Sequence, residues 1–388
     1  METPQYHISD LVSDCTNITT EGYYNLTQNL TGNQSSGKCV DIQSDNVTLD
    51  CLDTYSITGN ESGTPKAYGI YTNSNNTIIQ NCYVQNYMYG IYLNRSNQSI
   101  VFNNIAYNNQ QEIFFHTSSN NNLTGNIVNN AQQIGIYLVS SNNNTLTNNT
   151  ANNNTQYGIF LQSGASNNTI TENTVNNNTI YGIILDSSTD SNNITNNTAN
   201  NNQKGFRFAG ANYNNLIDNT ASNNTQIGIW LEADNSYNNI TNNTANNNTQ
   251  YGIYLQSNSN NNIITNNTAS NNIISGIYFT SSSYNNLTGN TFNNNVQQNG
   301  INLASNSNYN NFIGNTANNN TDHGIYADSS NNTMDNNTAN SNGQNGISLF
   351  NANNTLSNNT MSNNTVLIFT FHPLLLHSIW KLLIPLIQ

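Results

Sequence analysis

Charge is what this chain has least of: 6% of its 388 residues are Asp, Glu, Lys or Arg, against roughly 25% in an average globular chain. The six bases, Lys38, Lys66, Arg95, Lys204, Arg207 and Lys381, are scattered along the whole length. Neutralising a phosphate backbone needs clustered Lys and Arg, so nucleic acid is excluded as a partner. The 19 acids leave a formal net charge of −13. Five His and four Met are spread without ligand spacing, and no metal or other cofactor is expected. Residues 1–11 show no basic start followed by an apolar run, so no secretory signal is visible; either the start is truncated or export uses another route.

What is present is repetition. Asparagine makes up about a quarter of the chain, a composition that could mean disorder, yet apolar residues fall at fixed places throughout. The motif Tyr251-Gly252-Ile253-Tyr254-Leu255 recurs thirteen times, centred on Gly69, Gly90, Glu112, Gly135, Gly158, Gly182, Gly205, Gly228, Gly252, Gly276, Gly300, Gly324 and Gly346, at steps of 21 to 24 residues. A period of this length marks a solenoid whose units bury their apolar faces only by stacking. Asn and β-branched Thr at this density are poor helix formers, which excludes a helical solenoid. Alternation such as Ile183 and Leu185 around Ile184 reads as a half-buried strand, and each repeat holds two further short apolar positions. The expectation is an all-β parallel β-helix of about 13 coils, with three short strands per coil.

Columns follow from stacking the repeats. The residue after each glycine, from Ile70 to Ile347, must face the core. A column starting at Asn81 and Asn104 and ending at Asn359 reads as an asparagine ladder at a left-handed bend. Two residues further on, small residues such as Ala199 and Ala245 predict a narrow, filled interior. Residues 1–42 form an N-terminal segment and cap, 43–365 the solenoid, and 366–388 an apolar tail. That tail has the length of a membrane span, but His372, Pro373, His377, Lys381 and Pro385 interrupt it. A membrane is therefore a partner only if the tail is an anchor; a terminal cap or an end without a role is the alternative.

The run Asp45-Asn46-Val47-Thr48-Leu49-Asp50-Cys51, then Tyr68-Gly69-Ile70-Tyr71 and repeats of the form Asn-Asn-x-Ile-Thr-Asn-Asn-Thr, resembles the right-handed parallel β-helix repeats of the pectin-lyase-like superfamily. More narrowly it is similar to the NosD-like, carbohydrate-binding and sugar-hydrolase group of microbial surface proteins. The resemblance covers about residues 39 to 364 and implies fold far more than activity, because this scaffold hosts lyases, hydrolases, epimerases, adhesins and structural rods. NosD-like proteins are associated with copper enzyme maturation, which the scattered Met and His do not support.

Candidate site residues come from two places. Outward positions two steps after the glycine carry Tyr137, Phe160, Trp230, Tyr254 and Tyr278, rings on which successive sugars could stack, with Arg207 in the same column; the alternative is cross-strand pairing that stabilises the sheet. The most chemically mixed coils hold Arg207, Trp230 and Glu232, with Asp186 two coils from Glu232. That separation, ~10 Å by coil spacing, sits at the long end of the inverting-glycosidase range. Asp186, Arg207 and Glu232 are thus the catalytic candidates if the chain is an enzyme. Cys51 and Cys82 stand at bends of consecutive coils and suit a disulfide, leaving Cys15 and Cys39 as a second pair; two bridges would indicate an oxidising compartment, and four free thiols are the alternative. Asn-x-Ser/Thr triplets such as Asn148-Asn149-Thr150 could accept N-glycans on an exported chain, and also arise from composition. The leading expectation is a non-enzymatic, extracellular or cell-surface β-helix, a structural or adhesive rod with glycan contact along the aromatic column. The alternative is a polysaccharide-active enzyme on the same scaffold.

Overall fold

A computed structural model describes residues 10–59 and 67–366. The strands are uniform: among the described residues there is no helix, and every strand pairing is parallel. The chain forms two compact units, divided between Thr198 and Ala199.

In the first unit, one sheet carries the glycine strands, for example Tyr157–Gln162 and Tyr181–Asp186, in register Ile159↔Ile183 and Leu161↔Leu185. A second sheet carries three-residue strands such as Thr169–Thr171 and Asn193–Thr195. A third runs through Leu30–Thr31, Ser56–Thr58, Tyr83–Gln85, Ile105–Tyr107 and Ile127–Asn129. Eight glycine-sheet strands lie in this unit and seven in the second, about 15 turns in all, rather than the 13 expected. The two additional strands are Thr16–Ile18 and Lys38–Ile42, paired as Thr16↔Val40 and then Val40↔Ile70. They keep the apolar alternation but lack the glycine by which the other copies are counted, so residues 1–42 contain turns of the solenoid itself.

The third strand of each coil is shorter than expected beyond Ile127–Asn129. It narrows to single bridges, Thr150↔Thr174 and Thr174↔Thr198 in the first unit and Thr220↔Thr244 through Thr338↔Thr360 in the second. A side chain has taken over the next ladder bond: the Asn152 N–H donates to Asn129 Oδ1 at 2.8 Å and the Ser270 N–H to Asn246 Oδ1 at 2.7 Å. With the backbone N–H satisfied by an amide, strand pairing stops there.

Corners follow one rule, a left-handed residue and then a buried ladder asparagine. In one coil of the second unit the left-handed residues are Tyr237, Asn242 and Asn247, with φ of 59°, 57° and 57°, and the ladder residues are Asn238, Asn243 and Asn248, all buried. Each ladder oxygen accepts two bonds from the preceding coil: Asn243 N–H and Nδ2 both donate to Asn267 Oδ1, at 2.8 and 3.0 Å. Nδ2 also donates to Leu216 O at 2.7 Å. Two points of the sequence reading are corrected here. The left-handed residue precedes the ladder asparagine, and Asn81 is such a residue (φ 57°), so Cys82 fills the ladder slot and its N–H donates to Asn104 Oδ1 at 3.0 Å. There are also further ladders, through Asn121, Asn144 and Asn168 and through Asn224, Asn248 and Asn272.

The core is as narrow as the small-residue column predicts. Side chains from Ile70 to Ile347 in the column after the glycine, and from Ala106 to Ala339 in the small column, are buried. Glycine is required at Gly252 because an added Cβ would stand 2.7 Å from both Asn272 Nδ2 and Gly276 O, closer than real Cβ contacts. The single carboxylate in this column is explained by a paired exchange. Glu112 takes the glycine position where the next coil carries Ala131 in the ladder slot. Its carboxyl replaces the missing amide, accepting the Asn109 N–H at 3.1 Å and the Asn109 Nδ2–H. Burial pushes the Glu112 carboxyl well above its ordinary range, against the lowering effect of those two bonds.

Candidate functional site

The outward column of the glycine sheet is a stack of rings. In the first unit Tyr92, Phe114, Tyr137 and Phe160 stand 4.8 to 4.9 Å apart, centroid to centroid, with planes within 15°. This spacing is that of the coils, so the faces of the rings are spent on one another. Ile134, Phe160 and Ile184 form a buried cluster on this outer face, covered by Tyr137, Tyr157 and Tyr181. Phe160, expected as a ligand contact, is 7% exposed. The Tyr137 hydroxyl donates to Gln162 Oε1, and burial raises its pKa. The geometry of this part of the column is that of cross-strand pairing.

The second unit keeps the column more open. Trp230 stacks on Tyr254 at 6.3 Å and Tyr254 on Tyr278 at 5.2 Å, and all three are half-buried. Their polar edges have partners: Trp230 Nε1–H donates to Gln256 Oε1 at 3.2 Å, and Tyr254 Oη lies 3.1 Å from Thr280 Oγ1. At the start of the column Lys204 Nζ lies 4.9 Å and Arg207 Cζ 5.8 Å from the Trp230 ring centre. Burial lowers the Lys204 pKa, with Glu232 opposing and Arg207 adding to the shift.

Glu232 owes its place to a break in register. Arg207 pairs with Trp230 and Phe208 with Leu231, but Ala209 pairs with Ala233, which leaves Glu232 as the extra residue of a bulge in the strand Ile227–Ala233. Its Oε2 accepts from both Nε and Nη2 of Arg207. Arg207, Trp230 and Glu232 are therefore brought together with Lys204, which the sequence reading did not include among the site residues. Asp186 ends the strand Tyr181–Asp186 in the first unit, opposite Gln162, where its Oδ1 accepts from Ser187 Oγ at 3.2 Å.

Four cysteines form two disulfides, Cys15–Cys39 with Cα atoms 4.4 Å apart and Cys51–Cys82 at 4.7 Å. His323 stacks on Tyr326, and its Nδ1 accepts the Asn345 N–H at 3.2 Å. Burial lowers its pKa, with Asp322 opposing. Among the described residues no helix is long and apolar enough to cross a membrane; the 366–388 tail lies, apart from Val366, outside the described residues.

Sequence columns could have revealed one feature that the reading missed. The corner position occupied by Asn143, Asn167 and Asn261 holds Tyr213, Tyr237, Tyr284 and Tyr309 in other coils. These tyrosines are left-handed, with φ of 57° to 60°, and 52% to 58% exposed. They stack in pairs, Tyr213 on Tyr237 at 5.1 Å and Tyr284 on Tyr309 at 5.0 Å. The signal was a bulky residue repeating at a position that asparagine fills elsewhere.

Comparison with known proteins gives two family matches: the model described as periplasmic copper-binding protein (NosD) over residues 29–203, and that described as right handed beta helix region over 187–292 and 274–372. A search of curated proteins finds no match. Similar solved structures include the periplasmic alginate epimerase AlgG, with 14% identity, a TM-score of 0.46 and coverage of 87% of this chain and 77% of that one. The A-module of the Azotobacter vinelandii mannuronan C-5 epimerase AlgE6 matches with 14% identity and a TM-score of 0.45, over 88% of this chain and 91% of that one. The Dettilon tailspike protein matches with 13% identity and a TM-score of 0.47, over 90% of this chain and 60% of that one. A copper site does not fit the residues present. Among the described residues no three His, Cys, Asp or Glu side chains gather, and the cysteines that would be the soft ligands are spent in disulfides. With its parallel coils, its glycine strands and both family matches, the chain is a right-handed parallel β-helix repeat protein of the pectin-lyase-like kind.

Proposed function

We propose that this protein is an exported, non-enzymatic β-helix with a structural and adhesive role, which contacts glycans through the open part of its glycine-sheet column. The observation that carries this reading is the uniformity of the coils: among the described residues no more than twelve residues separate successive strands, and no long loop builds a cleft over one face. Export is supported by the two disulfides, which persist in oxidising compartments, and by the periplasmic description of the matching family model. The contact surface is Arg207, Trp230, Glu232, Tyr254 and Tyr278, where ring edges and charged groups reach solvent together. Glycan-array binding by Trp230→Ala and Tyr254→Ala tests it: each variant should lose at least fivefold in affinity, and undiminished binding by both would remove the column as the contact surface.

A second reading, a polysaccharide-active enzyme, draws support from the Glu232 bulge, since bulges re-aim side chains at functional sites. It requires turnover of a glycan that Glu232→Gln abolishes. Incubating the protein with a panel of neutral and acidic polysaccharides and finding no new reducing ends, unsaturated ends or epimerised residues rejects it.

A further inference from the structure

Four of five consecutive coils of the second unit put a tyrosine into solvent at the same left-handed corner, Tyr213, Tyr237, Tyr284 and Tyr309, 52% to 58% exposed; the coil between Tyr237 and Tyr284 has Asn261 there and exposes Ile263 two residues on. Contiguous exposure of this kind marks a contact surface. The fold does not call for it, because the same left-handed position is filled by asparagine in the coils of Asn143, Asn167, Asn261 and Asn331, and asparagine adopts that conformation more readily than tyrosine.

The interruption at Asn261 is the informative part. Within each pair the rings cover one another, planes 5° and 3° apart. Tyr237 and Tyr284 each keep one face turned along the coil axis toward the coil of Asn261, two coil spacings or about 10 Å from each other. Between those faces stands the exposed Asn261, and Ile263, 51% exposed, lies beside the slot in register with Asn239 and Asn286. A ring ligand in van der Waals contact with both walls needs a gap of about 7 to 8 Å, from contact distances of roughly 3.5 to 4 Å on each side. The slot thus has aromatic walls, an amide between them, an apolar side chain beside it, and room for one saturated ring with about 2 to 3 Å to spare. Along its rim run amides: Asn239 Nδ2 donates to Asn215 Oδ1 at 3.4 Å and Asn311 Nδ2 to Asn286 Oδ1 at 3.3 Å. No Lys or Arg lies between Arg207 and Lys381, so nothing here compensates a carboxylated or sulfated chain.

We propose that the slot between Tyr237 and Tyr284 binds a pyranose ring of a neutral glycan, its C–H faces against the tyrosines and its hydroxyls to the flanking amides. This site is separate from the glycine-sheet column and rests on the reading that the protein binds glycans.

The test uses the full chain in affinity electrophoresis against neutral glucans (hydroxyethyl cellulose and dextran) and an acidic polymer (polygalacturonate), with circular dichroism to verify folding. Tyr237→Asn with Tyr284→Asn places the residue native to this corner at both walls, and should weaken neutral-glucan binding at least tenfold. Asn261→Tyr should do the same by filling the slot and joining the two stacks, whereas a surface that is merely apolar would bind as well or better. Tyr213→Asn, which leaves both walls of the slot in place, should leave neutral-glucan binding within twofold. Neutral-glucan binding that survives the wall changes or the filling change overturns the slot, and if the Trp230 and Tyr254 changes abolish it instead, the column reading stands alone. A native chain that binds only polygalacturonate, or no glucan, overturns the neutral-glycan assignment.

Discussion

Glu112 shows how much a single residue can depend on its neighbours along the solenoid. A carboxyl in a column of glycines is intelligible only with Ala131 in view, because the side chain occupies the space that the next ladder amide would fill. Burial raises its folded pKa well above the ordinary 4.5. The native state therefore holds the proton after the unfolded chain has released it, and stability is fully present below pH 4.5 and declines as pH rises toward the folded pKa. Glu112→Gly alone should destabilise by about 1–3 kcal/mol, the cost of unsatisfied buried donors on Asn109. Glu112→Gly with Ala131→Asn rebuilds the repeat. The double variant should match or exceed the native melting temperature at pH 7 and lose the native decline that sets in above pH 4.5, as thermal melts from pH 4 upward would show. The same local logic was readable for Ile253 and Leu255, whose alternation alone marks them as core. It was not readable for Phe160, which alternation turns outward and a cluster with Ile134 and Ile184 then buries, because the cover comes from residues on other coils.

At the scale of the element, the corner replaces what a turn would do in an ordinary sheet. The triplet Asn-Asn-Thr reads, in order, as an exposed left-handed residue, a buried ladder amide and the start of the next side: Asn242, Asn243 and Thr244 are one example. N-glycan acceptor triplets in this chain are thus written by corner geometry, and their abundance needs no glycosylation. Removing one rung should be costly. Asn267→Ala strips the acceptor from the Asn243 N–H and Nδ2–H, both buried, and should destabilise by about 2–6 kcal/mol, at 1–3 kcal/mol per orphaned donor. Chemical denaturation would measure it, and a loss under 1 kcal/mol would mean that water enters the corner. One ladder was legible in the sequence because its column hardly varies. The others were harder to see, since Ser, Ala and Cys interrupt them and neighbouring asparagines blur the register by one residue, as happened at Asn81 and Cys82.

For the whole molecule, the repeat made the fold class legible and left the function to surface detail. Core columns recur in every coil and so announce themselves; the Glu232 bulge and the corner tyrosines are departures from the repeat, visible only once the register is known. Both disulfides lie in the first unit, closing separations of 24 and 31 residues, each worth about 3 kcal/mol in the loop-entropy account. Reduction under native conditions should speed amide hydrogen exchange in the first turns and leave protection of the second-unit ladders unchanged; equal loss in both units would show that stability is shared along the whole chain.

The ladders also have a direction. The buried asparagine rungs donate from one coil to the next toward the C-terminus, as from Asn219 to Asn243, Asn267, Asn290 and Asn315, and parallel rows repeat this at the other corners. Backbone dipoles largely cancel across a sheet, but these amide dipoles add, as peptide dipoles do in an α-helix, and each bond polarises the next. Within each unit the donor end, the positive pole, faces the last coil, so each unit, though all-β, acquires an electrical polarity along its own stack of coils.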